Sequence, residues 1–101
     1  MTRDEILAWY ENEEDEKVEW KYFDNLTDDK KLHRCREIAG ILKLDSMLAG
    51  EKLSFSAGYE RIDFWCDVCD FGEGVTVEDL EFLTACGIHY SAGEGHFYMF
   101  T

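Results

Sequence analysis

Apolar and polar positions follow two rhythms along this chain, and the changes of rhythm mark its elements. From Thr2 the spacing is helical, with Ile6, Trp9 and Tyr10 on one side and Glu5 placed to close a capping box on Thr2. Residues 11–16 contain no apolar member, which predicts a solvated helix end or loop. Val18, Trp20, Tyr22 and Phe23 then form a short apolar island that fits either a strand or a docking turn. A second helix is predicted from Thr27 as N-cap, with Asp28 and Asp29 in its first turn. Leu32, Cys35, Ile38, Ala39, Ile41, Leu42, Met47 and Leu48 keep helical spacing until Gly50 ends the run. Gly40 inside it costs roughly 1 kcal/mol against Ala, and so predicts a bend or a close contact. Lys30, Lys31, Arg34, Arg36 and Lys43 form an exposed basic stripe on this helix, while Cys35 and His33 read as one core and one surface residue.

Beyond Gly50 the period shortens to two. Leu53, Phe55 and Ala57 alternate with polar residues, and Ile62, Phe64 and Cys66 do so again in a new phase. The change of phase at residues 57–60 predicts a hairpin, with a bulge in one long strand as the alternative. The stretch WCDVCDFGEG, residues 65–74, reads as a loop closed by Gly72 and Gly74. A third helix has clear boundaries: Thr76 as N-cap, Asp79 closing back on it, and Val75 stapling against Leu80. Leu80, Phe82 and Leu83 form its buried face, and Gly87 suits the left-handed position after its end. IHYS and HFYMF read as two short strands around the turn AGEG. The order is two N-terminal helices, then β-hairpin, α, β-hairpin: a single α+β domain over residues 1–101, with a small antiparallel sheet packed on helices.

Charge changes the picture more than composition does. With 46% apolar and 15% aromatic residues, the chain has enough material for one core. Its net charge is −13, unevenly spread. Residues 1–29 carry eleven acids and three bases, residues 30–62 four acids and seven bases, and residues 63–101 eight acids with no Lys or Arg. A basic segment therefore lies between two acidic ones. Direct nucleic-acid binding needs clustered cations for counterion release and is not expected. No stretch approaches the roughly 20 apolar residues that span a bilayer, and the first residues turn acidic where a signal peptide stays apolar. These features predict a cytoplasmic protein with reduced thiols.

Two chemical readings compete for the cysteines. Cys66-x2-Cys69, then sixteen residues, then Cys86-x2-His89, gives the ligand types and spacing of a tetrahedral structural zinc site. Against it, the second pair straddles a predicted helix end, and Asp67 and Asp70 replace the usual glycine and basic residues. The other reading makes them buried thiols in an acidic turn, and it is preferred. A redox pair is disfavoured because neighbouring carboxylates oppose a thiolate. His89 and His96 fall on the final strands, where satisfied or exposed histidines are usual. No Ser/His/Asp grouping or phosphate loop is evident, so enzyme activity is not expected. The sequon Asn25-Leu26-Thr27 has no role in a cytoplasmic chain.

The segments VTVEDLEFLTACGIHYSAGEGHFYMF and SAGYERIDF resemble the C-terminal half of small phage- and prophage-encoded proteins of uncharacterised function. Those proteins end in a capped acidic helix, a glycine, an aromatic strand, a polar turn and a last aromatic strand. The resemblance covers about residues 54–101 and implies a phage or bacterial origin, hence a bacterial host cell, and no enzyme activity. The type does not demand cysteines where this chain has Cys66 and Cys69.

Together these features predict a small acidic interaction protein, with an inhibitor that imitates nucleic-acid charge on a basic host protein as its specific form. The expected contact residues are Glu11, Glu13, Glu14, Asp15, Glu16 and Glu19, together with Asp67, Asp70, Glu73, Glu78, Asp79 and Glu81. The alternative is a zinc-stabilised domain using Cys66, Cys69, Cys86 and His89. A third reading takes some of Trp9, Tyr10, Trp20, Tyr22, Phe23 and Trp65 as a homodimer contact.

Overall fold

The computed structural model describes residues 1–50 and 52–100, apart from the side chain of Trp20. In chain order its elements are α1 (Arg3–Glu11), α2 (Asp28–Lys31), α3 (Arg36–Met47), β1 (Phe55–Gly58), β2 (Arg61–Phe64), α4 (Val77–Ala85), β3 (Ile88–Ser91) and β4 (His96–Phe100). Short 3-10 turns occupy Glu14–Lys17, Trp20–Tyr22 and Val68–Asp70. The four strands form one antiparallel sheet in the order β1-β2-β4-β3. This is the α+β arrangement that the alternation of periods predicts.

Local chemistry sets the ends of two helices as expected. Thr2 and Glu5 exchange side-chain and backbone hydrogen bonds at the start of α1, and Thr76 and Asp79 do the same at the start of α4. Val75 and Leu80 are both buried in the main core, as a staple requires, and Gly87 takes φ 87° just past α4.

The predicted second helix is instead divided in two. Leu32 has φ 65° and ψ −36°, which α-helix does not admit, so α2 stops at Lys31 and α3 restarts at Arg36. His33 holds the break: its Nδ1 accepts the Cys35 N–H at 2.9 Å. Thr27 makes no side-chain cap bond. The basic residues therefore do not share one helix stripe, and Cys35 and His33 are both half-buried rather than one core and one surface. Ile38 and Leu42, placed by spacing on the inner face, remain exposed, while Leu44 is fully buried. The expectation at Gly40 holds, because a Cβ there would lie 2.7 Å from Cys86 Cβ and 3.0 Å from Ile88 Cδ1.

One face of the sheet supplies Phe64, Ile88, Phe97 and Met99 to a core completed by Ile6 and Trp9 of α1, Leu44 and Met47 of α3, and Leu80 and Leu83 of α4. The period of two puts Arg61, Asp63, His89, His96, Tyr98 and Phe100 on the other face. A second cluster gathers Phe23, Ala39, Phe82, Ala85 and Cys86. The apolar island thus resolves as a docking turn, which sets the Phe23 ring 5.9 Å from that of Phe82 on α4. Trp9 and Phe23 are core, Tyr10 and Tyr22 pack against the two clusters, and Trp65 is exposed; the side chain of Trp20 lies outside the described residues.

The predicted hairpin forms with Gly58 opposite Arg61 and a turn at Tyr59 and Glu60. Its first strand departs from expectation, since every residue of β1 is exposed. Phe55 meets Phe64 at a ring distance of 6.2 Å and still leaves half its surface in solvent. The cause is position: β1 is an outer strand.

Candidate acidic interaction surface

Glu13 takes a left-handed φ of 57° after α1, and this turns the chain so that the 3-10 turns Glu14–Lys17 and Trp20–Tyr22 pack against α4. Val18, Tyr22 and Leu26 anchor the segment on the second cluster. Acids far apart in sequence, Glu19 and the group 78–81, consequently meet around Tyr22. An open groove of about 430 Å³ lies there, lined by Lys17, Val18, Glu19, Tyr22, Asn25, Leu26 and Glu81. Its acidity registers on Tyr22, whose hydroxyl pKa is raised by burial first and then by the charges of Glu81, Glu78 and Asp79.

The twelve acids expected to form one surface divide into three groups. Some are bound up in structure. Asp67 Oδ1 accepts the Val68 N–H and the Tyr90 hydroxyl, both at 2.7 Å, and Asp70 Oδ2 accepts the Asp67 N–H at 2.8 Å. Asp79 caps α4 and pairs with Lys43 Nζ at 2.6 Å, and Glu14 pairs with Lys17 at 2.8 Å. A second group faces other parts of the molecule. Asp15 and Glu11 line a small cavity of about 110 Å³ with Tyr10 and Tyr90, and Glu73 lies beside Lys43 and Gly72. Burial, then Asp15, drives the Tyr10 hydroxyl pKa upward; that hydroxyl has no hydrogen-bond partner among the described residues. The third group comprises Glu13, Glu16, Glu19, Glu78 and Glu81, whose carboxylates form no ion pair among the described residues. Of these, Glu19 and Glu81 line the Tyr22 groove and Glu78 acts on Tyr22 through its charge.

The cysteines and histidine of the proposed zinc set are not brought together. Cys66 sits in the main core, Cys86 in the second cluster, and Cys69 is exposed. His89 lies on β3 with its ring against Tyr98 and Phe100, at 5.4 and 6.2 Å. Burial raises both buried thiols to about 12, helped at Cys66 by Asp70 and Asp67, whereas at Cys86 Arg36 opposes the shift. In this geometry WCDVCDFGEG is a capped acidic turn whose carboxylates hold the Val68–Asp70 turn and Tyr90.

Sequence reasoning missed a different cluster. Among the described residues, Asp63, Glu94 and His96 are the group whose ligand atoms all lie within 4.8 Å of one another. His96 Nε2 is 2.9 Å from Asp63 Oδ1, under a Trp65 ring 5.0 Å away. Arg61 reaches both acids, with Nε 2.8 Å from Asp63 Oδ1 and Nη2 2.9 Å from Glu94 Oε1. Both carboxylates thus already face a fixed cation, and the cluster is an ion-pair network that ties β2 to the β3–β4 turn. The signal was the shared polar phase of Arg61 and Asp63 in RIDF, but the sequence does not show which strand lies alongside. Comparison with family models, with curated proteins and with solved structures finds no match.

Proposed function

We propose that the protein is a non-enzymatic interaction protein whose Tyr22 groove takes a basic segment of a protein partner. One observation carries this reading: Glu19 and Glu81 line a groove with an aromatic and aliphatic floor, the charge of Glu78 also acts on its Tyr22, and none of the three has an ion-pair partner among the described residues. A Lys or Arg side chain suits such a site, because its stem can lie on Val18, Tyr22 and Leu26 while its head meets carboxylates. The nucleic-acid-mimicking inhibitor is the specific form of this proposal. There the carboxylates stand in for backbone phosphates on a host protein, as the resemblance to phage-encoded proteins suggests.

The test is titration with a hexa-arginine peptide, followed by calorimetry at low and at physiological salt. Binding is expected to weaken steeply as salt shortens the Debye length from about 30 Å to about 8 Å. The double variant Glu19→Gln/Glu81→Gln should lose about tenfold in affinity. Asp4→Asn/Glu73→Gln removes the same charge outside the groove and should lose far less. Salt-insensitive binding, equal losses from the two pairs, or no binding at low salt would each overturn the proposal.

A further inference from the structure

The two edges of the sheet are treated differently. Beside β3 lie the end of α1 and the turn after it: Tyr10 packs on Tyr90 at 5.2 Å, and Glu11 and Asp15 line the cavity beside them. Flanking carboxylates of this kind discourage another strand from pairing there. At β1 nothing comparable is present among the described residues. Residues 53–59, LSFSAGY, carry no charge and no proline in a chain that is 33% charged. Phe55 is 52% and Tyr59 92% exposed.

Register shows which backbone groups this edge offers. The Trp65 N–H donates to Ser54 C=O at 2.8 Å, so the even-numbered residues 54, 56 and 58 point their amides at β2. By the same alternation the N–H and C=O of Phe55 and Ala57 face outward. Leu53 marks where the open stretch begins, since its N–H already donates to Asp45 Oδ1 at 3.0 Å.

We propose that β1 pairs antiparallel with β1 of a second copy of this chain, joining two four-stranded sheets into one across a two-fold axis at Ser56. In this register Phe55 of each copy stands opposite Ala57 of its partner, which gives four interchain N–H···O=C bonds. The small Ala57 leaves room for the half-exposed Phe55 ring, and the two rings become diagonal neighbours across the axis. The same register brings the exposed Lys52 of one copy beside the hairpin turn of the other, which carries the exposed Glu60. The complementary Lys52 and Glu60, brought together twice by the two-fold axis, select a second copy as the occupant despite the like net charge. Two bodies of net charge −13 repel over most of their surfaces, and this edge lets them meet with uncharged strands flanked by opposite charges. Pairing is self-complementary and the β3 edge is protected, so assembly closes at two chains.

Sedimentation equilibrium over a concentration series tests this, with far-UV circular dichroism of each diluted variant reporting the fold. Ala57→Pro removes an outward N–H and leaves the β1–β2 bonds in place, so it should yield a folded monomer. Lys52→Glu and Glu60→Lys should each raise the dimer dissociation constant about tenfold, since each change places like charges together at two symmetry-related sites. The double swap Lys52→Glu/Glu60→Lys should restore wild-type association, which tests the contact even if Ala57→Pro fails to fold. A wild-type chain that stays monomeric to millimolar concentration, a dimer unmoved by the single charge variants, or a double swap without rescue would overturn the proposal. Open-ended higher oligomers would overturn the two-chain closure.

Discussion

The absent side chain of Gly40 lets α3 approach the end of α4 and the start of β3. A methyl group there would face Cys86 Cβ at 2.7 Å, and a Cβ cannot swing aside like the tip of a long side chain. Gly40→Ala gains roughly 1 kcal/mol of helix propensity but overpacks a filled interior, at a cost of about 1–3 kcal/mol. Net destabilisation is expected, read as a lower urea midpoint at unchanged slope; a higher midpoint would show that the helices separate freely. The thiols provide a second prediction at this scale. Cys66 and Cys86 are buried with pKa values pushed up to about 12, whereas Cys69 is exposed. At pH 8 a thiol reagent should label Cys69 at once and the buried pair more than about a thousandfold more slowly, until denaturant is added. Rapid labelling of Cys66 in the folded chain would contradict the packing described.

At the scale of elements, local signals were legible and relational ones were not. The boxes at Thr2/Glu5 and Thr76/Asp79 and the left-handed Gly87 concern residues a few positions apart, so sequence carries them in full. The break at Leu32 was hidden because apolar spacing runs through it, and a helical pattern does not record whether the chain between its apolar positions stays helical. β1 read as half-buried because alternation marks a strand's two faces but not its rank in the sheet, and the outer rank leaves both faces wet. The Asp63–His96 pair, separated by 33 positions, depends on strand register, and so does the meeting of Glu19 with Glu81 depend on how the 3-10 turns dock. The Leu32 break also yields a prediction. A half-exposed Leu at φ 65° stores about 1–3 kcal/mol of backbone strain, against a penalty of roughly 0.5–1 kcal/mol for glycine in the unfolded chain. Leu32→Gly is therefore expected to stabilise the protein by about 1 kcal/mol in chemical denaturation, and a loss of stability would show that the Leu32 side chain contributes more than its exposure indicates.

Charge acts on the molecule as a whole. Its extents are 30 × 30 × 27 Å, so at a Debye length of about 30 Å every carboxylate interacts with every other. With a net charge of −13 this interaction is repulsive and outweighs the few exposed ion pairs, so raising salt from about 10 mM to about 0.3 M should raise the thermal midpoint at neutral pH. Acidification acts in two steps of known sign. Burial lowers the pKa of His89, opposed by the nearby Asp15, so the folded state favours neutral imidazole. The unfolded chain then takes up protons first, and stability present above about pH 6.5 declines as pH falls below that value. The carboxyl groups follow at lower pH. At Asp63 the His96 hydrogen bond, then Arg61, lowers the pKa; at Asp79 burial opposes ionisation but is outweighed by Lys43 and the Thr76 cap. Their stabilisation is present above about pH 4 and disappears as pH falls further, through their lowered folded values. His89→Gln isolates the first step: it should flatten the stability profile between about pH 5 and 7 and leave the acid limb below about pH 4 in place. A slope that survives in this variant would assign the upper step to another group, and a limb that vanishes with it would mean that His89 and the carboxylates titrate as one linked system.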